Sequence, residues 1–271
     1  LPKRSIARTT TDGDRDILEY FHEKAYIELV KRSSDQGYGL LDRGDTPAFP
    51  GCYEAALTVC ATALTAAHAI MQNETDTAFV PIAGLHHARR NTAGGFCIFN
   101  DAGIVIEHLL SAHGLTRIAY VDIDAHHCNG TQSIFYDRPD VLVTSVHVDP
   151  GAGWFPHYLG FADETGRGDG VQANLNLPLA EGTGDQGWLA AVEVALDAVA
   201  RFAPSAIVLS LGVDAAVDDP ESPLRVTAEG YHEAAARVAA LGLPVVAVQE
   251  GGYHLPTLGR LVAAALDGLA G

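Results

Sequence analysis

The feature that most limits what this chain can fold into is a repeated local pattern: a short, mostly apolar run trailed at once by residues capable of chemistry. Five such runs lie at 79–82, 118–121, 141–146, 206–211 and 245–248. Runs of this length without polar alternation predict strands buried on both faces, as in a parallel sheet. Helical periodicity at 15–32, 53–72, 102–112, 186–202, 227–240 and 257–269 separates most of them. The alternation predicts α/β architecture, one domain over residues 1–271 with a central, mostly parallel sheet flanked by helices.

The residues just past each run narrow the reading further. His86 and His87 come after the first; Asp122, Asp124, His126 and His127 after the second; His147 after the third; Asp214 after the fourth; and Gly251, Gly252 and Tyr253 after the fifth. All are carboxyl-terminal strand ends, and parallel α/β sheets bind their ligands along that edge, so five separate segments deliver ionisable groups to one place. The long irregular stretch 149–170, with six glycines and Trp154, Phe155, Tyr158 and Phe161, is predicted to be a functional loop.

Asp124 and His126 stand two residues apart, on one side of an extended strand end, where both can reach one cation. With Asp214 they make three oxygen and nitrogen ligands, which leaves an open position, the arrangement of a catalytic zinc site. The pair His86-His87 supplies a base for the attacking water and an acid for a leaving amine, with Asp122 and Asn129 as orienting partners. Tyr253 can donate to a developing oxyanion.

Charge and cysteine usage exclude other classes. Lys+Arg number 17 against 34 Asp+Glu, a net charge of −17, which argues against direct nucleic-acid binding and favours cationic substrates. Cys52, Cys60, Cys97 and Cys128 form no CxxC pair and read as reduced thiols of a cytoplasmic protein. The uncharged stretch 55–73 carries Thr58, Thr62, Thr65 and His68, so a core helix is expected there rather than a membrane span, and no signal peptide is read at the start of the chain.

The segments GLHHARRNTAGGFCIFND, YVDIDAHHCNGTQSIFY, SLGVDAAVDDP and QEGGY resemble the zinc-dependent histone deacetylase superfamily, and the stretch from Ser145 to Gly170 is especially similar to its acetylpolyamine amidohydrolase branch. The resemblance implies an arginase-deacetylase fold with an eight-stranded sheet, or that sheet less its N-terminal strand, and one Zn²⁺ on Asp124, His126 and Asp214. It implies His87 as general base and acid, His86 as an electrostatic partner held by Asp122, and Tyr253 as the carbonyl-polarising phenol. Gly95, Phe96 and Phe155 would border a narrow channel for an alkyl chain, with Asp45 on its rim. A K⁺ ion beside the zinc is implied through Asp122, Asp124 and His126 main-chain oxygens and Ser145. The expected partner is an acetylated lysine peptide or an acetylpolyamine, and a homo-oligomer is allowed.

Three departures stand out. Cys128 replaces the glycine usual in the family's HHGNG segment; the N-terminus is short by about a strand and a loop; and no long insertion falls between His22 and Phe49. The last predicts an open pocket that accepts acetyl-lysine as well as acetylpolyamines. Two alternatives are an arginase-like ureohydrolase with two manganese ions and a non-catalytic acyl-amine binder. The first lacks carboxylates at its second-metal positions, Cys128 and Gly212; the second is disfavoured because His87 and Tyr253 are both present.

Overall fold

In this computed structural model, residues 15–271 are described. Six strands, β1 (Thr77–Val80), β2 (Ile118–Asp122), β3 (Val141–Val148), β4 (Asn174–Leu179), β5 (Ala206–Leu211) and β6 (Val245–Gln249), form one sheet in the order β1-β6-β5-β2-β3-β4. Every pairing is parallel. The helices are α1 (Arg15–Glu19), α2 (Lys24–Gln36), α3 (Cys52–Met71), α4 (Asp101–Ser111), α5 (Asn129–Phe135), α6 (Asp185–Phe202), α7 (Ala228–Ala239) and α8 (Leu255–Ala270).

The period-2 geometry of the strands divides the core into two layers. Ile118, Tyr120, Val141, Val143, Val208 and Val246 face one side, where α1 to α5 pack. Their neighbours Ala119, Val121, Leu142, Ile207, Leu209 and Ala247 face the other, against α6, α7 and α8. Helix α3 is long and apolar enough to cross a membrane, yet Cys60, Ala63 and Ala67 on it are wholly buried in the first layer. It is a core helix, as its sequence predicts.

Four expectations are corrected. The described residues hold six strands rather than eight, and the expected loss of an N-terminal strand lies outside them. The helix read over 15–32 is two, because Phe21 and His22 turn into the core and the Glu23 amide bonds Arg90 O at 2.9 Å. The strand read at 79–82 ends at Val80: Pro81 has no N–H to give a ladder, and Ile82 is 72% exposed. Strand β4 and helix α5 were not legible as elements. In β4 the pattern is inverted, since Asn174 and Asn176 are buried and bond Gln132 Oε1, each at 2.9 Å, while the leucines are half-exposed.

Strand β2 lies between β5 and β3, so the connections that leave β2 and β5 diverge and open a crevice at their carboxyl ends. The loops after β2, β5 and β6 meet there: the Val213 amide bonds Gly251 O at 2.8 Å, and the Gly251 amide bonds Asp124 Oδ2 at 2.9 Å.

Candidate active site

Asp124, His126 and Asp214 converge in that crevice, all buried, with one donor atom from each within 4.8 Å of the others. His126 Nδ1 lies 2.8 Å from Asp214 Oδ2 and 3.2 Å from Asp124 Oδ1. His126 Nε2 donates to the Glu221 carbonyl at 3.1 Å; burial opposes a charge on this ring, but hydrogen bonds to Asp124 and Asp214 hold its pKa well up, and a cation taking the place of the Nδ1 proton would meet the Nδ1 lone pair. Each carboxylate is oriented by an amide: Ala125 N donates to Asp214 Oδ1 at 2.8 Å, and His126 N to Asp124 Oδ1 at 2.8 Å. Burial and the neighbouring Asp124 charge push the pKa of Asp214 up to about 7. Two carboxylates this close are relieved by a shared cation, and the donor set suits a borderline divalent metal.

Glycine makes this approach possible. A Cβ on Gly212 would lie 2.2 Å from Asp124 Oδ2, and one on Gly251 2.3 Å from Asp214 Oδ2. Position 212 therefore has no room for the extra carboxylate a second manganese would need. The other such position, Cys128, is fully buried, and burial, then the Asp122 charge, pushes its thiol pKa well up, so it is a neutral core residue against the Ser145 hydroxyl.

The His86 and His87 rings lie side by side, tilted by 52°, with their Nε2 atoms 3.0 Å apart. His86 Nδ1 donates to Asp122 Oδ2 at 2.8 Å, whereas His87 Nδ1 donates to Asn129 Oδ1 at 2.7 Å. Asp122 also accepts from the Tyr120 hydroxyl at 2.6 Å and the Asp124 amide at 3.0 Å, a set of donors that suits an ionised carboxylate. Burial opposes a charge on His86, but Glu250, Asp122 and Asp124 outweigh it and push its pKa up to about 10. His87 goes the other way: burial, then the charges of His86 and His126, hold it well below the usual imidazole range.

A cavity of about 220 Å³ opens onto this pair, with His87, Gly95, Phe96, Asp124, Glu250 and Tyr253 in its walls. Phe155 crosses the His87 ring at 4.7 Å, edge to face. Gly95, at φ +55°, passes so close that a Cβ would meet His87 Cδ2 at 2.4 Å and Phe155 at 2.8 Å. Phe96 is 64% exposed at the mouth. Asp45 is brought to the same wall, where its Oδ1 accepts from the Gly95 amide at 2.9 Å. The Tyr253 phenol has no bonding partner among the described residues, and burial with the Asp124 and Asp214 charges raises its pKa, so it stays a donor. Ser145 is buried beside Asp122 in the ladder, its hydroxyl 2.8 Å from His147 Nδ1.

Several contributors were not singled out from sequence. Glu250, the first residue of EGGY, is buried with Oε2 3.9 Å from His86 Nε2 and accepts from Ser210 Oγ at 2.7 Å; a carboxylate at a strand end was the available signal. Asp219 accepts from the Tyr253 amide at 2.7 Å. Asp101 accepts from the Gly84 and Leu85 amides at 3.0 and 2.9 Å and so holds the turn that leads to His86. Two of the residues read from strand ends, His127 and His147, pack on each other outside this cavity, with ring centroids 4.8 Å apart.

Residues 1–269 match the histone deacetylase domain family. The acetylpolyamine amidohydrolase of Mycoplana ramosa is 40% identical over 227 residues, 84% of this chain and 66% of that protein. That of Burkholderia pseudomallei is 41% identical over 215 residues, 79% of this chain and 62% of that protein. The chain thus spans about two thirds of the length of these relatives. A crystal structure of acetylpolyamine aminohydrolase from Burkholderia pseudomallei superposes with a TM-score of 0.90 at 32% identity, covering 98% of this chain and 85% of that one. The HDA15 HD domain superposes equally well, TM-score 0.90 at 30% identity, covering 98% and 77%.

Proposed function

This chain belongs to the histone deacetylase family, and on that premise we propose that it is a zinc-dependent amidohydrolase, acting as one catalytic domain, that removes an acetyl group from an amine on a long alkyl chain. The observation that carries the reading is the pairing of two adjacent buried imidazoles with opposite partners, Asp122 and Asn129, at one cavity with a cluster of metal-ligating side chains.

Asp124, His126 and Asp214 would hold the ion, and when bound it supplies Lewis acidity toward the acyl carbonyl and the attacking water. His87, neutral and with its Nδ1–H fixed on Asn129, has its lone pair on Nε2, which faces His86 Nε2 at 3.0 Å; exchanging that contact for the attacking water makes Nε2 the base that takes the water's proton and returns it to the leaving amine. His86, charged and held by Asp122, keeps a positive field beside the reacting atoms. The Tyr253 phenol donates to the oxygen of the collapsing carbonyl. Phe155 and Phe96 flank the alkyl chain and exclude water from it, Gly95 leaves it room, and Asp45 stiffens the Gly95 wall at the rim.

A K⁺ ion fits the donors beside Asp122. Neither the Asp124 nor the His126 carbonyl oxygen accepts a hydrogen bond among the described residues, and the Ser145 hydroxyl lies in the adjacent strand. Four unpaired, buried cysteines support a reducing, cytoplasmic setting.

The names of the relatives favour acetylpolyamines, the net charge of −17 favours any polycationic amine, and the absence of a long insertion between residues 22 and 49 favours breadth. Acetate release by the zinc-loaded chain is the test, on acetylated diamines and acetyl-lysine peptides side by side. Comparable kcat/KM on both is expected. Turnover of acetylpolyamines alone would refute the breadth argument, and no acetate from either would refute the function.

A further inference from the structure

Away from the crevice, His68 on α3, His108 on α4 and His113 in the turn before β2 come together, one ring nitrogen from each lying within 4.8 Å of the others. His68 Nε2 and His108 Nε2 are 2.9 Å apart and share a proton. The His113 ring packs edge-on to both, at centroid distances of 5.7 and 5.1 Å, and the Tyr20 ring closes over His108 at 6.0 Å. One ring nitrogen of the third histidine, His113 Nε2, is buried with no hydrogen-bond partner. Buried polar atoms are normally satisfied, so a cluster of three imidazoles with an orphaned nitrogen beside a shared proton lacks its partner.

The topology fixes where this cluster lies. Asp101 starts α4 at the crevice edge, by bonding the turn after β1, and His108 sits in the helix's last turn. His68 is in the last turn of α3, which leads into β1, and His113 precedes β2. All three are therefore at the amino-terminal edge of the sheet, opposite the active site.

We propose that His68, His108 and His113 form a second metal site, for a borderline divalent transition cation such as Zn²⁺. Three imidazoles and no carboxylate select Zn²⁺, Cu²⁺ or Ni²⁺ over Mg²⁺ or Ca²⁺, whose ligands are oxygens. The ion replaces the proton shared by His68 and His108, and a small rotation of the rings brings all three to bonding distance. Bound there it clips α3 to α4 and to the turn that feeds β2, and it stabilises the fold by binding the native state alone. A fourth position stays open to water. The site stands or falls separately from the hydrolytic one.

Zinc per chain, measured by elemental analysis after loading with Zn²⁺ and gel filtration, distinguishes the two sites. Wild type is expected to hold two ions. His108→Ala and His68→Ala are each expected to hold one, with acetate release within about twofold of wild type and with the zinc-dependent rise in Tm lost. Asp214→Ala is expected to keep the histidine-bound ion. Loading that variant with Cu²⁺ should then give an EPR signal split by imidazole nitrogens, absent from Asp214→Ala/His68→Ala. Where His108→Ala fails to fold, His68→Ala, at a partly exposed position, carries the same test. One zinc in wild type, or two in the folded histidine variants, would overturn the proposal.

Discussion

His86 and His87 are chemically identical side chains made different by what holds Nδ1. A carboxylate on one ring and an amide on the other separate their protonation, and this was legible in the sequence because HH, DxD and the asparagine after HHC were all visible. Glu250 was less legible, since its approach to His86 depends on how β6 packs beside β5. Asn129→Asp tests the division directly. A carboxylate on His87 raises its pKa, and the base works only unprotonated, so the acidic limb of kcat/KM against pH is expected to move to higher pH. An unmoved limb would mean that His87 is not the titrating base. Tyr253→Phe removes one oxyanion donor and should lower kcat by roughly 10²–10³ with little change in KM, read from steady-state kinetics.

At the scale of elements, the turn carrying the two histidines is held from α4. Asn100, wholly buried, caps the helix by accepting from the Gly103 amide at 2.8 Å, and its Nδ2 donates to Ala88 O at 3.1 Å and Thr131 Oγ1 at 2.9 Å. Losing a cap and two buried bonds in Asn100→Ala should cost about 2–4 kcal/mol, measured by urea unfolding with the active-site metal bound. Gly84 is a second anchor: its φ is +83°, and a Cβ would lie 1.8 Å from Gln249 O, so only glycine lets this turn pass β6. Strands whose two faces are both apolar were readable from sequence, whereas β4, with asparagines inward, was not. Its polarity answers to Gln132 on α5, a partner distant in sequence. The break between α1 and α2 was hidden for a related reason, since Phe21 and His22 preserve helical spacing while the core draws them out of the helix.

At the scale of the whole molecule, the α/β class and the convergence of strand ends came from pattern alone, while the described residues hold six strands where the resemblance implied eight, or eight less one. Buried neutral histidines also set the response to acid. Burial holds both His22 and His147 at a pKa of about 3, and His22 Nε2 accepts from the Asn100 amide at 2.9 Å, as a neutral ring can. Their unfolded value is near ~6.5, so below that pH the unfolded chain binds more protons. Their contribution to stability is therefore full above pH ~6.5 and is lost as pH falls toward 3, at up to roughly 3 kcal/mol per pH unit for the pair. Urea midpoints between pH 7 and 4.5 should show a slope of this sign, to which His127 and His108, held at about 4, add, and His22→Gln should lessen it by one histidine's share, roughly 1.4 kcal/mol per pH unit; an equal slope in both proteins would contradict it. The central claim, metal-assisted amide hydrolysis with His87 moving the proton, is tested most directly by kcat/KM for acetate release across pH in wild type, His87→Ala and His86→Ala at matched metal content. The account expects His87→Ala to lose about 10²–10⁴ and His86→Ala to lose less. Near wild-type turnover in His87→Ala, or a larger loss in His86→Ala, would contradict it.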